Sequence, residues 1–286
     1  MKIAVLEPLG TAETKLRELL SFPGIDLTLW PDRQEDPETL ITRARDADIL
    51  VFSNIPFKED ILRQLPELKY ICCAFTGTDH IELNYCQEHH IKVSNCAGYS
   101  TAAVSDLVFG MVIDLCRHLK EHDRQIRISG NRLGYLGPEL EGLTFGIIGC
   151  GAIGTRTALI ARAFGCKVLA CSRTVKEIEG VDFCSLEELL EKADIISLHL
   201  PLNQQTKGII GRTEIAMMKP GALLINCARG PLVDYDALAE ALRSGKLAGA
   251  GIDVFETEPP IPANHPLLSA PNCILRSEEH TSELQS

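Results

Sequence analysis

Five short apolar runs, at residues 3–6, 25–29, 49–52, 70–74 and 91–93, alternate with amphipathic stretches such as 13–20 and 37–47. Runs of about three to five residues suit strands, and the helical spacing between them suits crossovers. The pattern therefore predicts a parallel α/β sheet. Asp36 is the expected N-cap of the second helix, with Pro37 at its first position. An apolar-rich helix is expected next over 100–119. A second alternating series follows, with strands at 144–148, 167–171, 195–198, 222–226 and 249–253 and helices at 152–164, 185–192 and 234–244. Ser185 and Glu188 have capping-box spacing. No fixed-period repeat and no low-complexity linker interrupts the chain. With 286 residues, 45% of them hydrophobic and 23% charged, it suits two ordinary cores. The expected fold class is α/β, with two doubly wound parallel-sheet domains.

The most informative turn is Gly149-Cys150-Gly151-Ala152-Ile153-Gly154, a G-x-G-x-x-G between an expected strand and an expected helix. In that setting the first glycine permits a tight turn, and the second lets backbone amides approach a pyrophosphate. The third lets helix and strand pack closely, so Gly149, Gly151, Ala152, Ile153 and Gly154 are candidate dinucleotide-binding positions. An NAD-selective site usually carries Asp or Glu at the end of the next strand. Here that strand runs into Ser172-Arg173-Thr174. A 2′-phosphate is not repelled there: Arg173 can pair with it, and Ser172 and Thr174 can donate to it, so NADP is the expected cofactor, with NAD as the lesser one.

Charge and composition narrow the partners. Lys and Arg number 28 against 39 Asp and Glu, a formal net charge of −11. Without a basic stripe, neither nucleic acid nor an anionic membrane surface is an expected partner. No window approaches the roughly 18 unbroken apolar residues of a membrane-span candidate. The opening Met1-Lys2-Ile3-Ala4-Val5-Leu6 reads as a strand rather than a secretory leader. The 11 cysteines show no metal-ligand spacing, and adjacent Cys72-Cys73 sits in an apolar run as a pair of small hydrophobes. A reducing cytoplasm is the expected setting.

Two further segments carry a resemblance. Asn226-Cys227-Ala228-Arg229-Gly230-Pro231-Leu232-Val233-Asp234 resembles the N-x-[AS]-R-G-x-x-V-D signature of the D-isomer-specific 2-hydroxyacid dehydrogenases. Gly251-Ile252-Asp253-Val254-Phe255-Glu256-Thr257-Glu258-Pro259 is similar to that family's D-V-F-x-x-E-P segment. His199-Leu200-Pro201-Leu202 and Thr76-Gly77-Thr78-Asp79 match two more of its loops. The resemblance implies a flavodoxin-like substrate domain over residues 1–98 and a Rossmann dinucleotide-binding domain over 99–275. It also implies hydride transfer between NAD(P)H and a small 2-oxo or D-2-hydroxy acid. Such a reduction needs a cation for the substrate's carboxylate and carbonyl oxygen, a role the resemblance gives to Arg229. The family's general acid is a histidine held by a glutamate, which corresponds to Glu258. Asp253 matches the residue on the nicotinamide side, and Leu200, Pro201, Cys227 and Ala228 match cofactor loops. Thr76 and Gly77 would serve cofactor and substrate from the first domain, where Tyr99 could shape the pocket. The family also implies a homodimer for the full-length form. The helix at 100–119 is apolar enough to form its interface, although a buried interdomain helix would read the same way.

One element departs from the family pattern. A Thr-Pro-His segment follows the last strand in the family, and Pro271-Asn272-Cys273-Ile274-Leu275 is in register with that strand. The histidine then falls at position 278, which is Glu278; His280 is two places out of register. Residues 276–286 read as the in-frame translation of a common sequencing adapter. They are expected to be a non-native tail, with the natural chain continuing past Leu275 and its return segment to the first domain missing. The chain is then expected to bind cofactor but to turn over slowly or not at all. His265 reads as structural, His89 and His90 as closing a helix, and His199 as part of a cofactor-side loop. Val104-Ser105-Asp106 stands where the family often has Val-Ala-Glu. Two readings compete with the enzyme. One is a catalytically silent, corepressor-like nucleotide sensor of the same fold. The other is adenosylhomocysteine hydrolysis or amino-acid dehydrogenation on a related fold, against which the paired signatures speak.

Overall fold

The computed structural model describes residues 1–131, 134, 136–257 and 260–276. These separate into two compact units, Met1–Ser100 and the residues from Thr101 onward.

In the first unit strands and helices alternate without exception: β1 (Lys2–Val5), α1 (Glu13–Leu20), β2 (Asp26–Leu29), α2 (Pro37–Ala44), β3 (Ile49–Phe52), α3 (Glu59–Leu62), β4 (Tyr70–Cys73), α4 (Leu83–Glu88) and β5 (Lys92–Asn95). The sheet order is β2-β1-β3-β4-β5, every pair parallel, which is the flavodoxin-like doubly wound order. Asp36 caps α2 by accepting from the Thr39 N–H at 2.9 Å, a contact whose loss costs about 1 kcal/mol. The helix ends at Ala44 rather than at residue 47. Asp48 is drawn instead to the start of the sheet, where it accepts from the Lys2 N–H at 2.8 Å and Lys69 Nζ at 2.6 Å. Leu40, Leu50, Phe52, Ile55, Phe57 and Ile71 are wholly buried in this unit's core.

The second unit contains α5 (Thr101–Arg117), α6 (Leu119–Ser129), β6 (Thr144–Ile148), α7 (Ala152–Ala163), β7 (Lys167–Cys171), β8 (Val181–Phe183), α8 (Leu186–Lys192), β9 (Ile195–Leu198), α9 (Arg212–Met217), β10 (Ala222–Asn226), α10 (Tyr235–Arg243), β11 (Leu247–Ile252) and β12 (Cys273–Leu275). Its strands run β12-β11-β10-β9-β6-β7-β8, all parallel. Every residue of β9 and β10 is buried, as expected of central parallel strands. The strand order reverses at β6, between β9 and β7, and ligands in such sheets bind beyond the carboxyl ends at that switch.

The helix expected over 100–119 is present as α5, and a second helix that the sequence does not mark follows it. Helix α5 stops at Arg117, His118 takes a left-handed conformation (φ 51°, ψ 44°), and α6 sets off separately. Asp114 makes the break: its carboxylate accepts the Lys120 N–H at 3.1 Å and so caps α6 from the preceding helix. Nor is α5 left as an unfilled apolar face. Val104, Val108, Phe109, Met111 and Val112 enter the second unit's own core with Phe145, Ile147, Ala158 and Ala161. Asp106 reaches Arg156 of α7 at 3.7 Å. Among the described residues no helix is long and apolar enough to cross a membrane.

Candidate active site

Cys171, Ile148, Leu198, Asn226, Ile252 and Leu275 are the last residues of their strands. They pair in one row across the second unit's sheet, Cys171 with Ile148, Ile148 with Leu198, Leu198 with Asn226, Asn226 with Ile252, and Ile252 with Leu275. Neighbouring strands lie about 4.8 Å apart. From this row the chain emits, in order, Ser172, Gly149, His199 and Leu200, the Cys227-Ala228-Arg229 loop, Asp253 and Arg276. The fold thus gathers along one sheet edge the second unit's candidates from Gly149 to Asp253, which the sequence scatters.

At the centre of the row, Gly149 has φ +98°, and a Cβ there would lie 2.6 Å from the His199 carbonyl oxygen and 2.9 Å from Leu200 Cδ2. Its N–H donates to the Cys171 carbonyl at 2.8 Å, tying the turn to β7. A Cβ on Gly154 would come within 2.0 Å of the Gly149 carbonyl oxygen and 3.2 Å of Ile147 Cγ2, so glycine here lets α7 lie close on β6. Gly151 is different: its φ is −75°, and a Cβ would meet nothing within 4 Å. Open space therefore lies over the head of α7, a 12-residue helix that begins with Ala152 and Ile153. The first amides of a helix have no intrahelical acceptor, and the helix dipole favours an anion there. Space kept clear of side chains beside such donors fits a dinucleotide pyrophosphate.

Beside the turn, β7 leads into half-buried Ser172 and exposed Arg173 and Thr174, with no carboxylate at the strand's end. A residue that sequence spacing does not mark joins them: Lys176 Nζ donates to the Cys150 carbonyl at 2.9 Å. In the sequence Val175-Lys176-Glu177 reads as an ordinary solvated loop, and no motif places a lysine there. Leu200 is half-buried against the turn and Pro201 is exposed.

The Arg229 loop is held by buried polar contacts. Asn226, wholly buried, donates from Nδ2 to the Arg229 carbonyl at 2.9 Å and to the Tyr235 hydroxyl at 3.1 Å. Its Oδ1 accepts the Ala228 N–H at 3.1 Å. The Tyr235 hydroxyl donates to the Val254 carbonyl at 2.7 Å, and the Asp253 N–H donates to the Asn226 carbonyl at 3.0 Å. The two signature segments therefore form one structure, and they cross at Gly230, where a Cβ would lie 2.2 Å from the Phe255 carbonyl carbon. Arg229 is half-buried with extended backbone, and its Nη1 donates to the Ala228 carbonyl at 2.7 Å. Cys227 is buried, with Sγ 4.0 Å from Met111 Sδ. Asp253 is 3% exposed and accepts from Arg276 Nη1 at 2.8 Å. Glu258, Glu278 and His280 lie outside the described residues.

In the first unit, Thr76 and Gly77 follow β4. Thr76 Oγ1 is 3.1 Å from Ser100 Oγ, and the Thr76 carbonyl accepts from Asn95 Nδ2 at 2.6 Å. The Gly77 carbonyl lies 3.5 Å from Cys73 Sγ, and burial pushes that thiol up to about 11. Three histidines that the sequence singles out have structural partners. His199 Nε2 is 3.0 Å from Ser197 Oγ, and burial lowers its imidazole to about 4, which leaves it neutral near pH 7. His265 Nδ1 accepts the Leu267 N–H at 3.3 Å, and Nε2 lies 3.2 Å from Glu256 Oε2. His89 stacks on Tyr85 with ring centroids 3.8 Å apart.

Residues 109–279 match the family model described as D-isomer specific 2-hydroxyacid dehydrogenase, NAD binding domain. The chain belongs to that family. It is 39% identical over 272 residues to the glyoxylate reductase of Aeropyrum pernix, covering 90% of this chain and 81% of that protein. Among solved structures it resembles an acyclic imino acid reductase in complex with NADPH and D-Arg, with TM-score 0.90, 30% identity and coverage of 96% and 89% of the two chains. It also resembles D-lactate dehydrogenase from Aquifex aeolicus complexed with NAD and lactic acid, with TM-score 0.85, 30% identity and coverage of 96% and 87%. These family relatives are reductases and a dehydrogenase, and nothing in them supports the corepressor-like reading.

Proposed function

We propose that the protein is an NADPH-preferring reductase of glyoxylate, hydroxypyruvate or a similarly small 2-oxo acid. The observation that carries this reading is the row of strand ends, which sets the glycine turn, the Arg229 loop and Asp253 along one sheet edge. The first unit supplies the substrate domain and the second the dinucleotide-binding domain. Ala152 and Ile153 offer amides to the pyrophosphate, and Ser172, Arg173 and Thr174 hold the 2′-phosphate. Leu200, Pro201, Cys227 and Ala228 border the cofactor, and Asp253 stands on its nicotinamide side. When bound, the dihydronicotinamide supplies the hydride. Arg229 binds the substrate carboxylate and draws electron density toward the carbonyl oxygen, where charge develops. Thr76 is assigned to the cofactor and Gly77 to the substrate. Glu258 serves as the partner of a general-acid histidine, and position 278, the family's place for it, holds Glu278.

The cofactor reading is tested by the Michaelis constants for NADPH and NADH with glyoxylate and hydroxypyruvate; a clear preference for NADH overturns it. The catalytic reading predicts that the 286-residue chain turns over about 10²–10⁴-fold slower than a variant carrying Arg276→Thr, Ser277→Pro and Glu278→His, because that is the range a general acid contributes. Equal rates would remove position 278 from the mechanism.

A homodimer in a reducing cytoplasm completes the proposal. Helix α6 buries none of its side chains, and Leu119, Ile126 and Ile128 on it are 52%, 55% and 71% exposed, which suits a surface covered by a second copy. The cysteines are all free, as suits a reducing compartment. Sedimentation velocity tests the dimer.

A further inference from the structure

Resting on the NADPH reading above, we infer that Lys176 is a second cation for the adenosine 2′-phosphate, held in place at the glycine turn. Two bonds fold the chain after β7 back over that turn. The Gly149 N–H donates to the Cys171 carbonyl at 2.8 Å, and Lys176 Nζ donates to the Cys150 carbonyl at 2.9 Å. The ammonium therefore lies against the middle residue of Gly149-Cys150-Gly151, next to the position where a Cβ would meet nothing within 4 Å.

A carbonyl fixes the ammonium without neutralising it. Glu179 pairs with Arg162 at 3.4 Å, Glu177, next to Lys176 in the chain, is exposed, and among the described residues neither Arg173 nor Lys176 forms an ion pair. Several other lysines of this acidic chain do meet carboxylates, whereas Lys58, like Lys176, donates to a backbone carbonyl. Lys69 meets Asp48 at 2.6 Å, Lys192 meets Glu188 at 2.6 Å, and Lys219 meets Asp194 at 2.8 Å. Two uncompensated cations three residues apart, beside a turn shaped for phosphates, suit a ligand with more than one negative charge. A phosphate monoester carries about −1.5 to −2 near pH 7. The two cations divide the work: the guanidinium of Arg173 presents a planar fork, and the ammonium of Lys176 is a compact point charge on a flexible stem. Moving Nζ from the Cys150 carbonyl to a phosphate oxygen exchanges an ion–dipole contact for a charge-assisted one.

A purely structural clasp would weaken NADPH and NADH alike, so the ratio between them is the readout. Wild type, Lys176→Met and Lys176→Arg are titrated with NADPH and NADH by fluorescence, and with adenosine 2′,5′-bisphosphate and 5′-AMP by calorimetry. Lys176→Met is expected to weaken NADPH and the bisphosphate about tenfold. NADH and 5′-AMP should stay within about twofold, and Lys176→Arg should retain most of the discrimination. Equal losses for both members of each pair, or no loss, overturn the inference while leaving the NADPH reading intact. A wild type that prefers NADH overturns both, and that result is visible before any variant is made. Melting curves of the variants, with Lys176→Arg as the conservative control, separate lost recognition from lost folding.

Discussion

The glycine turn after β6 and the Arg229 loop after β10 have only β9 between them, yet they are held in opposite ways. The turn is defined by missing side chains: Gly149 and Gly154 admit carbonyls that a Cβ would exclude, and Gly151 leaves space that nothing fills. The loop is defined by present ones, with Asn226 and Tyr235 satisfying four backbone and side-chain groups between them. A site built from absent atoms suits any pyrophosphate, because backbone amides do the binding. A site built from a buried polar network fixes the direction of one guanidinium, which oriented binding of a carboxylate requires. The first is damaged by adding an atom and the second by removing one.

Gly230 is the point where that contrast is most exposed, because the side-chain-built loop depends on one missing Cβ. Gly230→Ala drives a methyl into the Phe255 backbone, and overpacking that cannot relax costs about 3 kcal/mol. The expected result is a large drop in the urea midpoint; an unchanged midpoint would show that the crossing can open. Gly151→Ala should behave in the reverse manner. Its backbone angles suit alanine and its surroundings are empty, so stability should stay within about 0.5 kcal/mol. NADPH affinity should still fall about tenfold as the methyl displaces the anion. If Gly151→Ala unfolds the protein as readily as Gly230→Ala, the distinction between the two sites fails.

The smallest effect belongs to His199, whose carbonyl abuts Gly149. Its folded imidazole is held at about 4 against an ordinary 6.5, so between those values the unfolded chain binds more protons. Stability from this group is therefore complete above pH 6.5 and declines as the pH falls toward 4. His199→Gln should flatten the dependence of the melting temperature on pH in that window. A slope identical to wild type would mean that the ring is not desolvated.

Much of this was readable in the chain because it rests on local chemistry. Parallel strands announce themselves as apolar runs, Asp36 and Ser185 accept the amides their spacing predicts, and the glycine turn lies between its strand and helix. The features that escaped are made by contacts between distant residues. Helix α6 buries no residue on its own unit, so no apolar period marks it after residue 119, and Asp114 of the preceding helix caps it. Strand β8 and helix α9 have only 3 and 6 residues, too few to show a period. Lys176 acquires meaning only when its ammonium meets a carbonyl 26 residues away. Gly230 looks like a motif letter until Phe255 is seen lying across it.

Helix α6 has a consequence of its own. An isolated helix shorter than about 12–15 residues is marginal in water, and α6 has 11 residues with none buried on its own unit. If a second copy covers it, folding and association at this segment become one equilibrium. The local order of residues 119–129 is then a function of how many molecules share the solution, and dilution alone would unwind it while both sheets stay intact.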